Sequence, residues 1–79
     1  MDRVEKNWTR DIARALLGKT ITKVEYMTED EAKYNGWERR PIILRLNDGT
    51  FLFPSMDDEG NDGGAIFTTL DDLPVIPVL

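Results

Sequence analysis

Apolar residues recur at Val4, Trp8, Ile12, Ala15 and Leu16, at spacings of four, four, three and one. At 3.6 residues per turn these positions fall on one stripe, so the pattern predicts an amphipathic helix over about residues 3–17. Asp2 is an N-cap type with Glu5 three positions on, and Gly18 can take the left-handed conformation that closes a helix. Away from the stripe stand Arg3, Asn7, Arg10 and Arg14, with Lys6 nearby. That basic face makes Arg10 and Arg14 candidate partner contacts. The plain alternative is a solvated surface balanced by Asp11 and by the acidic C-terminal half.

Beyond the helix, "TITKVEYMT" is rich in β-branched residues and predicts a strand whose imperfect alternation points to a bulge or to burial on both faces. "TEDEAKYNG" then offers Thr28 as an N-cap, Glu31 three positions later, acids in the first turn and Asn35-Gly36 as a stop. Those signals predict one or two turns of helix, which Trp37, with Tyr34 close by, is expected to anchor to the core.

In "PIILRLNDGTFLFP", Asp48-Gly49 predicts a two-residue type I′ hairpin turn, since both residues tolerate positive φ. Counting outward pairs Asn47 with Thr50, Leu46 with Phe51, Arg45 with Leu52 and Leu44 with Phe53. On that register Leu44, Leu46, Phe51 and Phe53 share a face with Ile42 and form the centre of the core. Ile43 and Leu52 make the opposite face partly apolar too, consistent with cover from the N-terminal helix or with a sheet that curls on itself. "AIFTTL" predicts a further strand. In the closing segment "DDLPVIPVL", Pro74 and Pro77 exclude a helix and a central strand. The tail 73–79 is expected to be extended and docked, within the chain or onto a second copy, where it is the candidate for a homodimer contact. The expected architecture is one α+β domain over 1–79. Its N-terminal helix packs on a small, strongly bent antiparallel sheet, and an SH3-like small barrel is one form such a sheet takes.

Composition narrows the function classes. There is no cysteine, so neither disulfides nor thiolate ligands staple a chain this short, and a cytoplasmic setting is expected. No apolar run reaches the roughly 20 residues that span a bilayer, so no membrane partner is expected. Net charge is −5, distributed unevenly. Residues 1–23 carry six bases against three acids, while residues 48–79 carry seven acids and no base. Overall acidity argues against direct nucleic-acid binding, which rests on clustered Lys and Arg.

Catalysis finds little support. Without His or Cys the chain lacks the usual proton shuttle near neutral pH and the thiolate nucleophile. Ser55, the only serine, has no lysine in its sequence neighbourhood. The adjacent acids Asp57 with Asp58 and Asp71 with Asp72 do not establish the separation that glycoside chemistry needs. The expectation is a protein that is not an enzyme and carries no cofactor.

The segment "DDEGNDGG" supplies Asp57, Asp58, Glu59, Asn61 and Asp62 as oxygen donors among glycines that permit sharp turns. Against the EF-hand pattern with Asp57 first, Asp62 stands at the glycine position and Thr68 where the bidentate Glu belongs, so that motif fails at its two strictest points. Three readings stay open for this loop. It is a looser calcium or magnesium site, a hairpin connection that satisfies its own backbone, or a recognition loop offering carboxylates to a basic partner.

Over residues 40–67, "RPIILRLNDGTFLFPSMDDEGNDGGAIF", the chain resembles small uncharacterised bacterial and phage proteins that share a strand, a D-G turn, a second strand and a P-S-x-D-x-E-G-N segment. The resemblance carries no activity. It implies a bacterial or phage origin and a role for the acidic loop beyond that of a turn. The function expected from the residues is a non-catalytic module binding a protein partner through Asp57, Asp58, Glu59, Asn61, Asp62, Arg10 and Arg14. The alternatives are a small acidic inhibitor that imitates nucleic-acid phosphates, or a divalent-cation (calcium) binding domain.

Overall fold

The computed structural model describes residues 2–79. Helix α1 spans Arg3–Leu16, β1 Ile21–Tyr26, α2 Glu29–Tyr34, β2 Ile42–Leu46, β3 Phe51–Leu52, β4 Ile66–Leu70 and β5 Leu73–Ile76. Strands β1, β2 and β3 form one antiparallel sheet in that order, and β4 with β5 forms a second antiparallel ladder. The class is α+β, and the sheets do not close into a barrel. Strand β3 is two residues long and gives way to Pro54 and the acidic loop, so no ladder continues from it into β4.

Both helices begin where their caps place them. Asp2 Oδ1 accepts from Glu5 N at 2.8 Å, and Gly18 closes α1 at φ +76°. At Thr28 the capping box is complete: Glu31 N donates to Thr28 Oγ1 at 3.1 Å, and Thr28 N donates to Glu31 Oε1 at 3.0 Å. The irregular alternation of β1 is a bulge, because its register against β2 shifts between Ile21 and Lys23.

The expected packing of α1 against the sheet does not occur. The helix has no buried residue, and Trp8 and Ile12 are 65% and 50% exposed. The cause lies in the linker. Lys19 Nζ pairs with Asp48 Oδ2 at 3.1 Å, Thr20 N donates to Asn47 Oδ1 at 3.2 Å, and Asn47 N donates to Thr20 O at 2.9 Å. These contacts bind the helix's exit to the tip of the β2–β3 hairpin, and the helix leaves the body from there.

The hairpin also differs from expectation. Leu44 lies opposite Leu52 and Arg45 opposite Phe51, one residue away from the predicted pairing. A type I′ turn would need positive φ at Asp48 as well as Gly49, yet among the described residues only glycines have positive φ, Gly49 at +89°. The connection is therefore a three-residue loop, Asn47-Asp48-Gly49, closed by Leu46 N donating to Thr50 O at 2.8 Å. Because side chains alternate along a strand, this slip of one residue moves Phe51 and Phe53 to the face opposite Leu44 and Leu46. The buried apolar residues are correspondingly few: Met27, Ala32, Pro41 and Ile42 about the end of β1 and the following helix, and Leu46 at the other end of β2, opposite Ile21.

The tail docks within the chain. Asp71 and Asp72 turn β4 into β5, with Leu70 opposite Leu73. Farther on, Arg40 and Leu79 exchange backbone hydrogen bonds at 2.9 and 3.0 Å, and Tyr26 Oη donates to Pro77 O at 2.8 Å. Pro74 is accommodated because the ladder of β4 and β5 has only two strands, both of them edges. No helix among the described residues is long and apolar enough to cross a membrane.

Candidate functional site: an apolar groove beside the acidic loop

The acidic loop is held mainly by its own side chains. Asp57 Oδ1 accepts from Glu59 N at 3.0 Å and Asn61 N at 3.2 Å, while Asn61 Nδ2 donates to Asp57 Oδ2 at 2.7 Å. These bonds, those from Asn61 foremost, hold the Asp57 carboxyl below its ordinary range. Asp62 Oδ1 accepts from Arg39 N at 3.0 Å and Gly63 N at 2.8 Å, and Ser55 Oγ donates to Asp62 O at 2.9 Å. Asp57, Asn61 and Asp62 thus build the loop. Asp58 and Glu59 make no side-chain hydrogen bond or ion pair among the described residues and remain exposed. No group of three or more acidic side chains is placed to hold a metal ion among the described residues.

Two glycines let the loop lie against the body. A Cβ on Gly63 would stand 2.7 Å from Pro41 Cδ and 2.9 Å from Arg39 O, and one on Gly64 would stand 2.9 Å from Ser55 O. The loop is tied from outside as well, by Trp37 Nε1 donating to Gly60 O at 2.7 Å. Trp37 thus ties the acidic loop to Phe53 at the groove, a different role from the expected anchoring of α2 to the core, and Tyr34 is 93% exposed.

Trp37 also meets Phe53 edge to face, and Phe53 leads to a feature that sequence reasoning missed. Between α2 and the sheet face carrying Glu25, Ile43, Phe51 and Phe53 runs a groove of about 250 Å³, with Met27 and Asn35 completing its lining and Glu31 at its α2 side. The floor is aromatic and aliphatic, and two carboxylates border it: Glu25, paired with Lys23 at 3.5 Å, and Glu31, which accepts from Thr28 N at 3.0 Å. Hydrogen bonding to Thr28, foremost its backbone N–H, holds the Glu31 carboxyl below its ordinary range. Arg45 sits 5.7 Å over the Phe51 ring and places a positive charge at that end. At this volume the recess falls below the usual range for small-molecule sites and suits a single large side chain.

Arg10 and Arg14 stand apart from both features. Arg10 pairs with its neighbour Asp11 at 3.2 Å, and neither arginine forms an ion pair with the loop among the described residues. The sequence-predicted contact residues therefore divide into two regions, the loop and the exposed helix. The groove was hidden because the two-residue turn assigns Phe51 and Phe53 to the core. The signal that could have revealed it is the asparagine before Asp48-Gly49, which lets the loop take three residues and leave only Gly49 left-handed. No protein-family model, no curated protein and no solved structure matches the chain.

Proposed function

We propose that the protein is a non-catalytic interaction module whose groove and adjoining acidic loop take a protein segment presenting a large apolar side chain flanked by Lys or Arg. The observation that carries this reading is the pairing of two exposed phenylalanines, Phe51 and Phe53, with the carboxylates of Glu25 and Glu31 around one recess. An apolar floor supplies affinity by burying the partner's side chain, and the carboxylates select and orient a basic neighbour. Asp58 and Glu59 extend the same sign of charge along the loop, beyond the Trp37–Phe53 contact.

This reading is preferred to imitation of nucleic-acid phosphates. Such imitation calls for a long row of free carboxylates, whereas Asp57 accepts from the loop's own N–H groups and Asp62 from those of Gly63 and Arg39. Selection from a random peptide library against the protein tests it. Selected peptides should carry an aromatic or large aliphatic residue beside Lys or Arg and should perturb the amides of Ile43, Phe51 and Asn35. Glu25→Lys should abolish their binding. Peptides without basic enrichment, or binding indifferent to Glu25→Lys, would refute the reading.

A further inference from the structure

We infer that the occupant of the groove is helix α1 of a second copy of this chain, with Trp8 entering the recess and each copy giving its helix to the other. The inference rests on the reading of the groove as a docking site and names the partner of that same site.

Four observations converge on it. A 14-residue helix is marginal in water by itself, and α1 carries Val4, Trp8 and Ile12 exposed on one stripe with no buried residue. Its stability therefore calls for a cover that its own chain does not provide. The linker explains why: the contacts of Lys19 with Asp48 and of Thr20 with Asn47 fix the helix's exit at the hairpin tip. Surface area points the same way. The chain exposes 6401 Å², whereas a compact monomer of 9.1 kDa exposes about 4,900 Å². Its radius of gyration is 14.1 Å, against about 12 Å for a compact chain of 79 residues. The excess is roughly 1,500 Å² per chain, well above the ~800 Å² that each partner contributes to a standard interface. Charge completes the case. Residues 1–23 have six bases against three acids, a net of +3, and residues 24–79 have four bases against twelve acids, a net of −8. Arg3, Lys6, Arg10 and Arg14 lie on the side of the helix away from the stripe, so this asymmetry draws the helix of one copy toward the acidic body of another at long range, and the stripe makes the contact.

A two-fold arrangement makes both helix–groove contacts at once, since an isologous pair repeats each contact by symmetry. Trp8 is the natural anchor. Tryptophan is the side chain most often found at the energetic centre of an interface, and here it is 65% exposed in the middle of the stripe.

Light scattering after gel filtration, at about 100 µM chain, tests the inference because specific dimers far weaker than nanomolar are still populated there. The full chain should elute at twice the 9.1 kDa chain mass. Trp8→Ala and Phe53→Ala should each weaken the dimer by about tenfold or more. An equimolar mixture of the two variants should regain part of the lost affinity, because one intact helix then meets one intact groove. Trp37 becomes the only tryptophan in the Trp8→Ala chain, and its near-ultraviolet circular dichroism should show that the body remains folded. A monomeric full chain would overturn the second-copy inference and leave the groove reading to the peptide selection. A dimer indifferent to Trp8→Ala would overturn it in favour of another surface, such as the tail. A dimer lost on Trp8→Ala but indifferent to Phe53→Ala would show helix–helix pairing and overturn it as well.

Discussion

Trp37 and Phe53 meet edge to face, with ring centroids 5.9 Å apart and planes at 63°, while the same indole donates from Nε1 to Gly60 O at 2.7 Å. One side chain therefore joins three parts of the molecule: the segment after α2, the strand end that lines the groove, and the turn of the acidic loop. Trp37→Phe keeps an aromatic ring against Phe53 and removes the donor. Leaving Gly60 O without that partner should lower stability by about 1 kcal/mol. The loop should loosen with it, so hydrogen exchange at the loop amides of Glu59 and Asn61 should accelerate more than exchange in β1. Unchanged loop exchange would mean that Asp57 and Asp62 hold the loop without help from Trp37.

The loop's close approach to the body makes a second, sharper contrast between glycines. Gly63 has Pro41 Cδ at 2.7 Å and Arg39 O at 2.9 Å from where a Cβ would stand, and Pro41 is fully buried. Neither neighbour is a flexible side-chain end, so Gly63→Ala should cost about 2 kcal/mol and lower Tm by roughly 10 °C in a domain this small. Gly60 has open space around its Cβ position but a φ of +73°. Gly60→Ala should cost about 1 kcal/mol through backbone conformation alone. Thermal unfolding of the two variants checks the order, and equal shifts would contradict it.

Acid should loosen the point where α1 joins the body, and only at low pH. Hydrogen bonds from Thr50, foremost its backbone N–H at 3.0 Å, together with Lys19 Nζ, hold the Asp48 carboxyl down at about 2 against an ordinary 3.8. A depressed folded pKa contributes stability that is fully present above the unfolded value and is lost as pH falls through the folded one. The window is therefore pH 4 down to about 2. The Thr50 and Lys19 resonances should titrate there, and the Asp48→Asn chain should lack that transition. A midpoint near 4 would show that the two contacts do not persist in solution.

The acidic loop should ignore calcium despite its composition. Asp57 and Asp62 already accept hydrogen bonds from Glu59, Asn61, Arg39 and Gly63, and a cation would have to displace them. Millimolar calcium should leave Tm unchanged to within about 1 °C, since only a ligand that prefers the folded state raises it. A clear rise that Asp58→Asn removes would revive the cation-binding reading.

How legible all this was depends on how local each cause is. The caps at Asp2 and Thr28 and the left-handed Gly18 and Gly36 act within a few residues, and the sequence placed both helices nearly to the residue. The hairpin was visible at Asp48-Gly49, but its loop length depends on the φ of Asp48, which the dipeptide leaves free. The second hairpin was less visible, because Asp71-Asp72 turns without glycine or asparagine. Where α1 rests was not legible at all. The stripe of Val4, Trp8 and Ile12 announces that the helix needs a partner surface, and nothing in its spacing says whether that surface belongs to the same chain.

The offset of the hairpin has a direct energetic consequence. With Leu44 opposite Leu52, Leu46 and Ile42 face the interior at 5% and 7% exposure, whereas Phe51 and Phe53 are 54% and 45% exposed along the groove. Leu46→Ala should therefore cost about 3 kcal/mol, a large part of the roughly 4–12 kcal/mol expected for a chain this size. Phe53→Ala removes a larger side chain from a half-exposed place and should cost only about 1 kcal/mol, chiefly its contact with Trp37. The two-residue turn would instead seat Phe53 beside Leu44 in the core and make its loss among the costliest in the chain. Urea unfolding at low chain concentration, where self-association does not contribute, separates the two registers by the order of these variants alone. If Phe53→Ala proves the more damaging of the two, the phenylalanines belong to the core and the groove is not a surface for any partner.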